Sequence, residues 1–209
     1  MPRVLDNILE ELNLSIKQNL DALTDFDNLG SNSVFYNETR LTTKDEQTLP
    51  IIVEGDYKGS KISIDDRYPL VIYHRGISID NANDPNLGYG PRSYRERIYR
   101  MRMYCFGTLK LLNNPQWDYN VDIQQIVYRT IPHALSQRER ILPGEESSNA
   151  LEIMAEEFAG SPTKNLIVRH TAFWIEYDIR QRSDCGDISN DPITTFDDIV
   201  GLTGNGSVL

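Results

Sequence analysis

Glu176 and Asp178 are the residues of this chain whose type and spacing come nearest to a catalytic pair. Carboxylates two residues apart on an extended strand point the same way, here toward His170 and Arg180. A metal-dependent nuclease or other phosphodiester enzyme gathers its ligands in this manner. Carboxylates at the solvated end of a strand more often only solvate it, and no second acidic cluster on another strand accompanies these two. An enzyme using Glu176 and Asp178 is therefore the alternative reading. His74, His133, His170, Cys105 and Cys185 are too dispersed for the close ligand pairs of a zinc site, so neither a metal nor a cofactor is expected. Cys105 falls beside Met101 and Met103 on an apolar strand face, the setting of an inert thiol. The run Gly88-Tyr89-Gly90-Pro91-Arg92 has the wrong glycine spacing for a phosphate loop, and Pro91 removes an amide that such a loop would use.

Concentrated positive charge occurs once, in Arg92, Arg95, Arg97, Arg100 and Arg102, interrupted by Glu96 and interleaved with Tyr94 and Tyr99. Arg95, Arg97, Arg100 and Arg102 are candidates for contact with a neighbouring subunit or with DNA backbone, and the plainer expectation is a solvated face balanced by acidic neighbours. The formal net charge of −10 argues against DNA attraction by the whole surface, so any nucleic-acid contact would be local.

The element that positions Glu176 and Asp178 is a strand over residues 165–181. Ile167, Thr171, Phe173, Ile175, Tyr177 and Ile179 line its buried face. Val168, His170, Trp174, Glu176, Asp178 and Arg180 line the other, which turns from apolar to charged along the strand. Upstream, Leu5, Ile8, Leu9, Leu12, Ile16, Leu20 and Leu23 recur at helical spacing, and the amphipathic helix they form must pack on a sheet or on a neighbour. Residues 27–47 read as a long connection. Residues 49–57 and 61–65 read as a hairpin, 69–79 and 94–107 as strands that could pair, and 80–92 as a loop dense in turn formers. Residues 121–135 read as a helix stopped by Pro132, and 137–148 as a charged loop around Pro143-Gly144. Asn149 and Glu152 have the spacing of a helix cap.

At 209 residues and 39% hydrophobic content, one core needs no disulfide or metal staple, and two cysteines suit a reducing compartment. No run approaches the ~20 apolar residues of a membrane span. The expected fold is α+β: a mostly antiparallel sheet with an N-terminal helix and further helices on one face, with extended loops. Residues 1–182 form one domain and residues 183–209 a C-terminal arm. The arm is rich in Gly, Asp, Ser and Asn, yet Ile188, Ile193, Phe196, Ile199 and Leu202 are too many apolar residues for a solvated spacer, so they are candidate anchors on a neighbouring subunit.

This order of elements resembles the tail-terminator, tail-completion and neck-ring proteins of tailed bacteriophages. The resemblance is carried by the helix at residues 4–23, the strand Tyr68-Pro69-Leu70-Val71-Ile72-Tyr73-His74-Arg75-Gly76, the alternating strand at 97–107, the helix at 121–135 and the closing pattern from Arg169 to Ile179. It implies a non-enzymatic virion protein, made in the bacterial cytoplasm. Its subunits would close into a homo-oligomeric ring, commonly a hexamer or dodecamer, in the neck or tail. Its partners would be portal, neck and tail proteins, with transient contact to genomic DNA and no membrane. A monomeric binding module is the third reading.

Overall fold

A computed structural model describes residues 4–44, 47–52, 61–62, 64, 66–83, 94–112, 122–131, 139–159 and 169–184. In chain order its elements are α1 (Val4–Asp21), β1 (Val34–Lys44), β2 (Gln47–Ile52), β3 (Leu70–Asn83), β4 (Tyr94–Thr108), α2 (Gln124–Thr130), β5 (Glu139–Ser147), α3 (Ala150–Glu157) and β6 (His170–Asp184). The strands form one sheet in the order β2-β1-β3-β4-β6-β5. Only β1 and β3 run parallel among these neighbours, and the rest pair antiparallel. The α+β class and the mostly antiparallel sheet are as the alternation of apolar residues requires.

The centre of the sheet is built from the strands with the clearest alternation. β3 and β4 pair from Leu70 opposite Gly107 to Asn83 opposite Arg95, and β4 and β6 from Thr108 opposite His170 to Tyr94 opposite Asp184. One face presents Leu70, Ile72, Met101, Met103, Cys105, Phe173, Ile175, Tyr177 and Ile179, all buried. The stripe of α1, with Ile8, Leu9, Leu12, Ile16 and Leu20, closes over it beside Ile123, Val127 and Ile131 of the α2 region. After α1 the chain turns back tightly: Asp21 accepts hydrogen bonds from the Ser31 amide and hydroxyl, each at 2.7 Å. Gly30 lies so close to α1 that a Cβ there would sit 2.1 Å from the Lys17 carbonyl oxygen, which explains a glycine at this contact.

The opposite face carries Val71, Tyr73, Tyr104, Phe106 and Ala172, covered by Ile153, Met154 and Phe158 of the α3 segment. The helices are thus not all on one face: α1 and α2 share a face, and α3 packs on the other. Its start follows the expected cap, since Asn149 Oδ1 accepts the Glu152 amide at 3.4 Å and its side-chain amide donates to Glu152 Oε2 at 3.1 Å.

Two segments read as connections are strands. β1 falls within residues 27–47, and it carries Asn37, Glu38, Thr39 and Arg40 because its order comes from pairing with β2 and β3 instead of from an apolar stripe. β5 occupies the expected loop at 137–148. It is an edge strand whose register shifts between Pro143 and Glu146, and a proline is tolerated at such a bulge. Of the expected hairpin, β2 forms its first arm and Lys61 bridges Ile51, whereas residues 53–60 lie outside the described residues. Of the helix expected over 121–135, α2 covers Gln124–Thr130, and residues 121 and 132–135 lie outside the described residues.

Candidate functional site

Alternation along β4 and β6 puts Arg100 and Arg102 opposite Asp178 and Glu176 on the α3 face, and cross-strand partners of opposite charge attract at this spacing. Arg102 donates to Glu176 Oε1 through Nη2 at 2.5 Å and through Nε at 3.1 Å, while its guanidinium lies 4.3 Å from the Trp174 ring centroid. Arg100 Nε is 3.5 Å from Asp178 Oδ1. The two carboxylates suspected of catalysis therefore face arginines, and His170 is not with them. It sits six positions back on β6, its Nε2 2.9 Å from Asp66 Oδ1.

Deeper on the same face lies a network that crosses from sheet to helix. Arg75 of β3 pairs with Glu157 and Glu156 of α3, the latter at 2.9 Å, and also donates to the Tyr104 hydroxyl. Tyr73 donates to Glu157 Oε2 at 2.8 Å. Burial pushes the Glu157 carboxyl up, and the Arg75 charge and the tyrosine hydroxyls offset only part of that. Burial and the nearby Glu157 charge together raise the Tyr73 hydroxyl well above its ordinary value. For Arg75, burial works against the charged form but Glu157, Tyr104 and Glu156 outweigh it, so the guanidinium stays charged.

The α1 face holds a second, uncharged network. Asn13 of α1 donates to Asn37 of β1 at 3.0 Å, which leaves Asn13 Oδ1 as an acceptor for His74 Nε2 at 2.8 Å. With its proton on Nε2, His74 accepts through Nδ1, and the Tyr177 hydroxyl donates to it at 2.7 Å. Thr39 completes the set by donating to the His74 carbonyl oxygen at 2.9 Å. Burial pushes His74 down to about 3, so the imidazole is neutral and fully hydrogen-bonded.

A third feature is an open cleft of about 420 Å³ at the end of the sheet where β4 stops and β6 starts. It is lined by Asp66, Thr108, Leu109, Lys110, Leu111 and Arg169. The turn after β4 shapes it. Leu109 donates to the Arg169 carbonyl at 2.9 Å, and the Leu111 and Leu112 amides donate to the Thr108 carbonyl at 3.0 and 3.1 Å. Leu112 is thereby turned inward, whereas Leu109 and Leu111 remain more than two-fifths exposed.

The arginine run does not form one patch. Arg97 stands on the Tyr99 face of β4, 3.5 Å from the Tyr99 hydroxyl, whereas Arg100 and Arg102 stand on the opposite face. Arg95 occupies the β4 position opposite Ser183, and its side chain lies outside the described residues. Ile188, Ile193, Phe196, Ile199 and Leu202 also lie outside them, and β6 runs to Asp184, past the expected boundary at residue 182. Among the described residues, no group of three or more His, Cys, Asp or Glu side chains is placed to hold a metal ion.

Sequence reasoning passed over both buried networks, although each left a trace. Glu157 occupies a core position in the helical series Ile153, Met154, Glu157, Phe158, and His74 continues the apolar alternation Leu70, Ile72. A polar residue in an apolar stripe implies a buried partner. Compared with known proteins, the chain matches no family model and no curated sequence.

Proposed function

We propose that this chain is a structural subunit of an oligomeric ring in the neck or tail of a tailed bacteriophage, a tail terminator or head-tail connector, with no catalytic residues. One observation carries the reading. The groups suited to chemistry are engaged in internal pairs, Arg102 with Glu176 and Arg75 with Glu157, while exposed apolar side chains stand at both ends of the sheet as well as singly on α1 (Leu14), β1 (Leu41), β5 (Leu142) and α3 (Leu151). Ile77 and Ile79 stand toward the end where β3 and β4 reach Asn83 and Arg95, and Leu109 and Leu111 stand at the other. Exposed apolar residues at two different places on one chain suit heterologous, head-to-tail contact, the kind that closes into rings. Carboxylates held by arginines are poorly placed to collect a metal, so the nuclease alternative has no such support.

Size-exclusion chromatography with light scattering, followed by negative-stain electron microscopy, tests the proposal. Closed rings of six or twelve copies are expected, alone or on portal or tail partners. A chain that stays monomeric in all these settings, or that cleaves DNA with magnesium or manganese and loses this in Glu176→Ala/Asp178→Ala, overturns it.

A further inference from the structure

Exposed apolar side chains at the mouth of a cleft need a covering partner more than scattered ones do, and Leu109 and Leu111 project there from a turn held by three backbone hydrogen bonds. The charge of the mouth is also unusual for this protein. Among the described residues that line it, Lys110 and Arg169 stand against one carboxylate, Asp66, which Arg169 binds at 3.0 Å, so these residues are net positive on a chain of formal charge −10. Residues 185–209 have the opposite character. They carry Asp187, Asp191, Asp197 and Asp198 and no Lys or Arg, with Phe196, Ile199, Val200 and Leu202 set around the last two aspartates.

The direction of β6 favours a segment from another copy. The strand starts at His170 beside the cleft and ends at Asp184 opposite Tyr94, at the other end of the sheet. At ~3.3 Å per residue it carries the chain roughly 50 Å away from its own cleft. A head-to-tail ring brings two different patches of neighbouring copies together, which allows the end that releases the segment of one copy to face the cleft end of the next. We infer that the cleft bounded by Leu109, Lys110, Leu111 and Arg169 is the receptor for residues 185–209 of a neighbouring copy, with Phe196 and Ile199 on the leucines and Asp197 and Asp198 toward Lys110 and Arg169. The inference rests on the ring reading and adds the connection between subunits.

A photo-crosslinking amino acid at position 111 of the full chain tests it, with light and heavy isotope-labelled chains mixed before assembly. The expected result is a crosslink from position 111 to residues 185–209 in light-heavy pairs. Its yield should fall at least tenfold with Phe196→Asp/Ile199→Asp or with Asp197→Lys/Asp198→Lys; the second pair leaves the apolar anchors in place, should the first impair folding. Rings by light scattering with no crosslink to this segment overturn the docking while the ring stands. Crosslinks confined to chains of one label mean that the segment returns to its own cleft, which also overturns it. A chain that forms no oligomer, alone or with its partners, sinks both.

Discussion

The two faces of the sheet bury polar groups in opposite ways. On the α1 face, His74, Asn13, Tyr177 and Asn37 satisfy one another without a formal charge, and His74 and Tyr177 are fully shielded from water. On the α3 face the network is ionic and grades outward, from Glu157 with no exposed side chain, through Arg75 and Arg102, to Glu156 at 44%. A neutral network tolerates a dry interior because each donor meets an acceptor. An ionic one carries a desolvation cost that grows with depth and eases where water reaches its rim. The α1 face thus holds the larger apolar core, and the α3 face joins a smaller one to the ionic network that fixes a short helix in register.

The strongest way to break this contrast is to remove apolar mass from each face in turn. Phe173→Ala, on the α1 face, should cost about 3–5 kcal/mol in urea unfolding. Trp174→Ala, at a half-buried position on the α3 face, should cost clearly less, and the reverse order would mean that the larger core lies on the α3 side.

Next is the ionic network. Arg75→Met leaves Glu157 buried without its main countercharge and should destabilise by about 3 kcal/mol at neutral pH. Because the Glu157 carboxyl is already raised by burial, the fold binds its proton more tightly than the unfolded chain does. The Arg75→Met deficit should therefore shrink as pH falls through the carboxylate range. The double variant Arg75→Met/Glu157→Leu should recover much of the loss, and simple additivity of the two changes would show that the pair is not coupled.

The neutral network predicts the opposite sign with acid. His74 is lowered from 6.5 to about 3, so the unfolded chain takes up a proton that the fold refuses. Its contribution is complete above about pH 6.5 and is lost as pH falls toward 3, at up to about 1.4 kcal/mol per pH unit. His74→Gln should flatten that part of the stability curve, measured by denaturant titrations across the range. An unchanged slope would mean that His74 is protonated in the fold.

The smallest effect should come from the exposed end of the charged ladder. Glu176→Ala/Asp178→Ala should cost about 1 kcal/mol or less, because cross-strand pairs that solvent partly reaches contribute less than the buried Arg75 and Glu157 pair. Melting curves check this directly, and a loss of several kcal/mol would place these pairs with the buried network.

Much of the fold was legible because its central strands and first helix are amphipathic, and amphipathicity is a local property. Phe173, Ile175, Tyr177 and Ile179 announced the buried face of β6, and Asn149 with Glu152 announced the start of α3. β1 and β5 were not legible. The polar run of β1 is a strand only because β2 and β3 flank it, and Pro143-Gly144 reads as a turn until β6 supplies the partner for a bulged edge. The charged pairs were half visible: the parity of Arg100 and Arg102 was readable, but the register that sets them against Asp178 and Glu176 was not.

By itself, then, the sequence determined which residues must leave water, since the spacing of apolar side chains along a helix or strand assigns each element a face. It also determined that His74 and Glu157 would need partners, because a polar group in an apolar stripe cannot stay unpaired. Tertiary structure alone decided who those partners are. Asn13 and Tyr177 reach His74, and Arg75 and Tyr73 reach Glu157, across separations that only strand order and register bring within hydrogen-bonding distance.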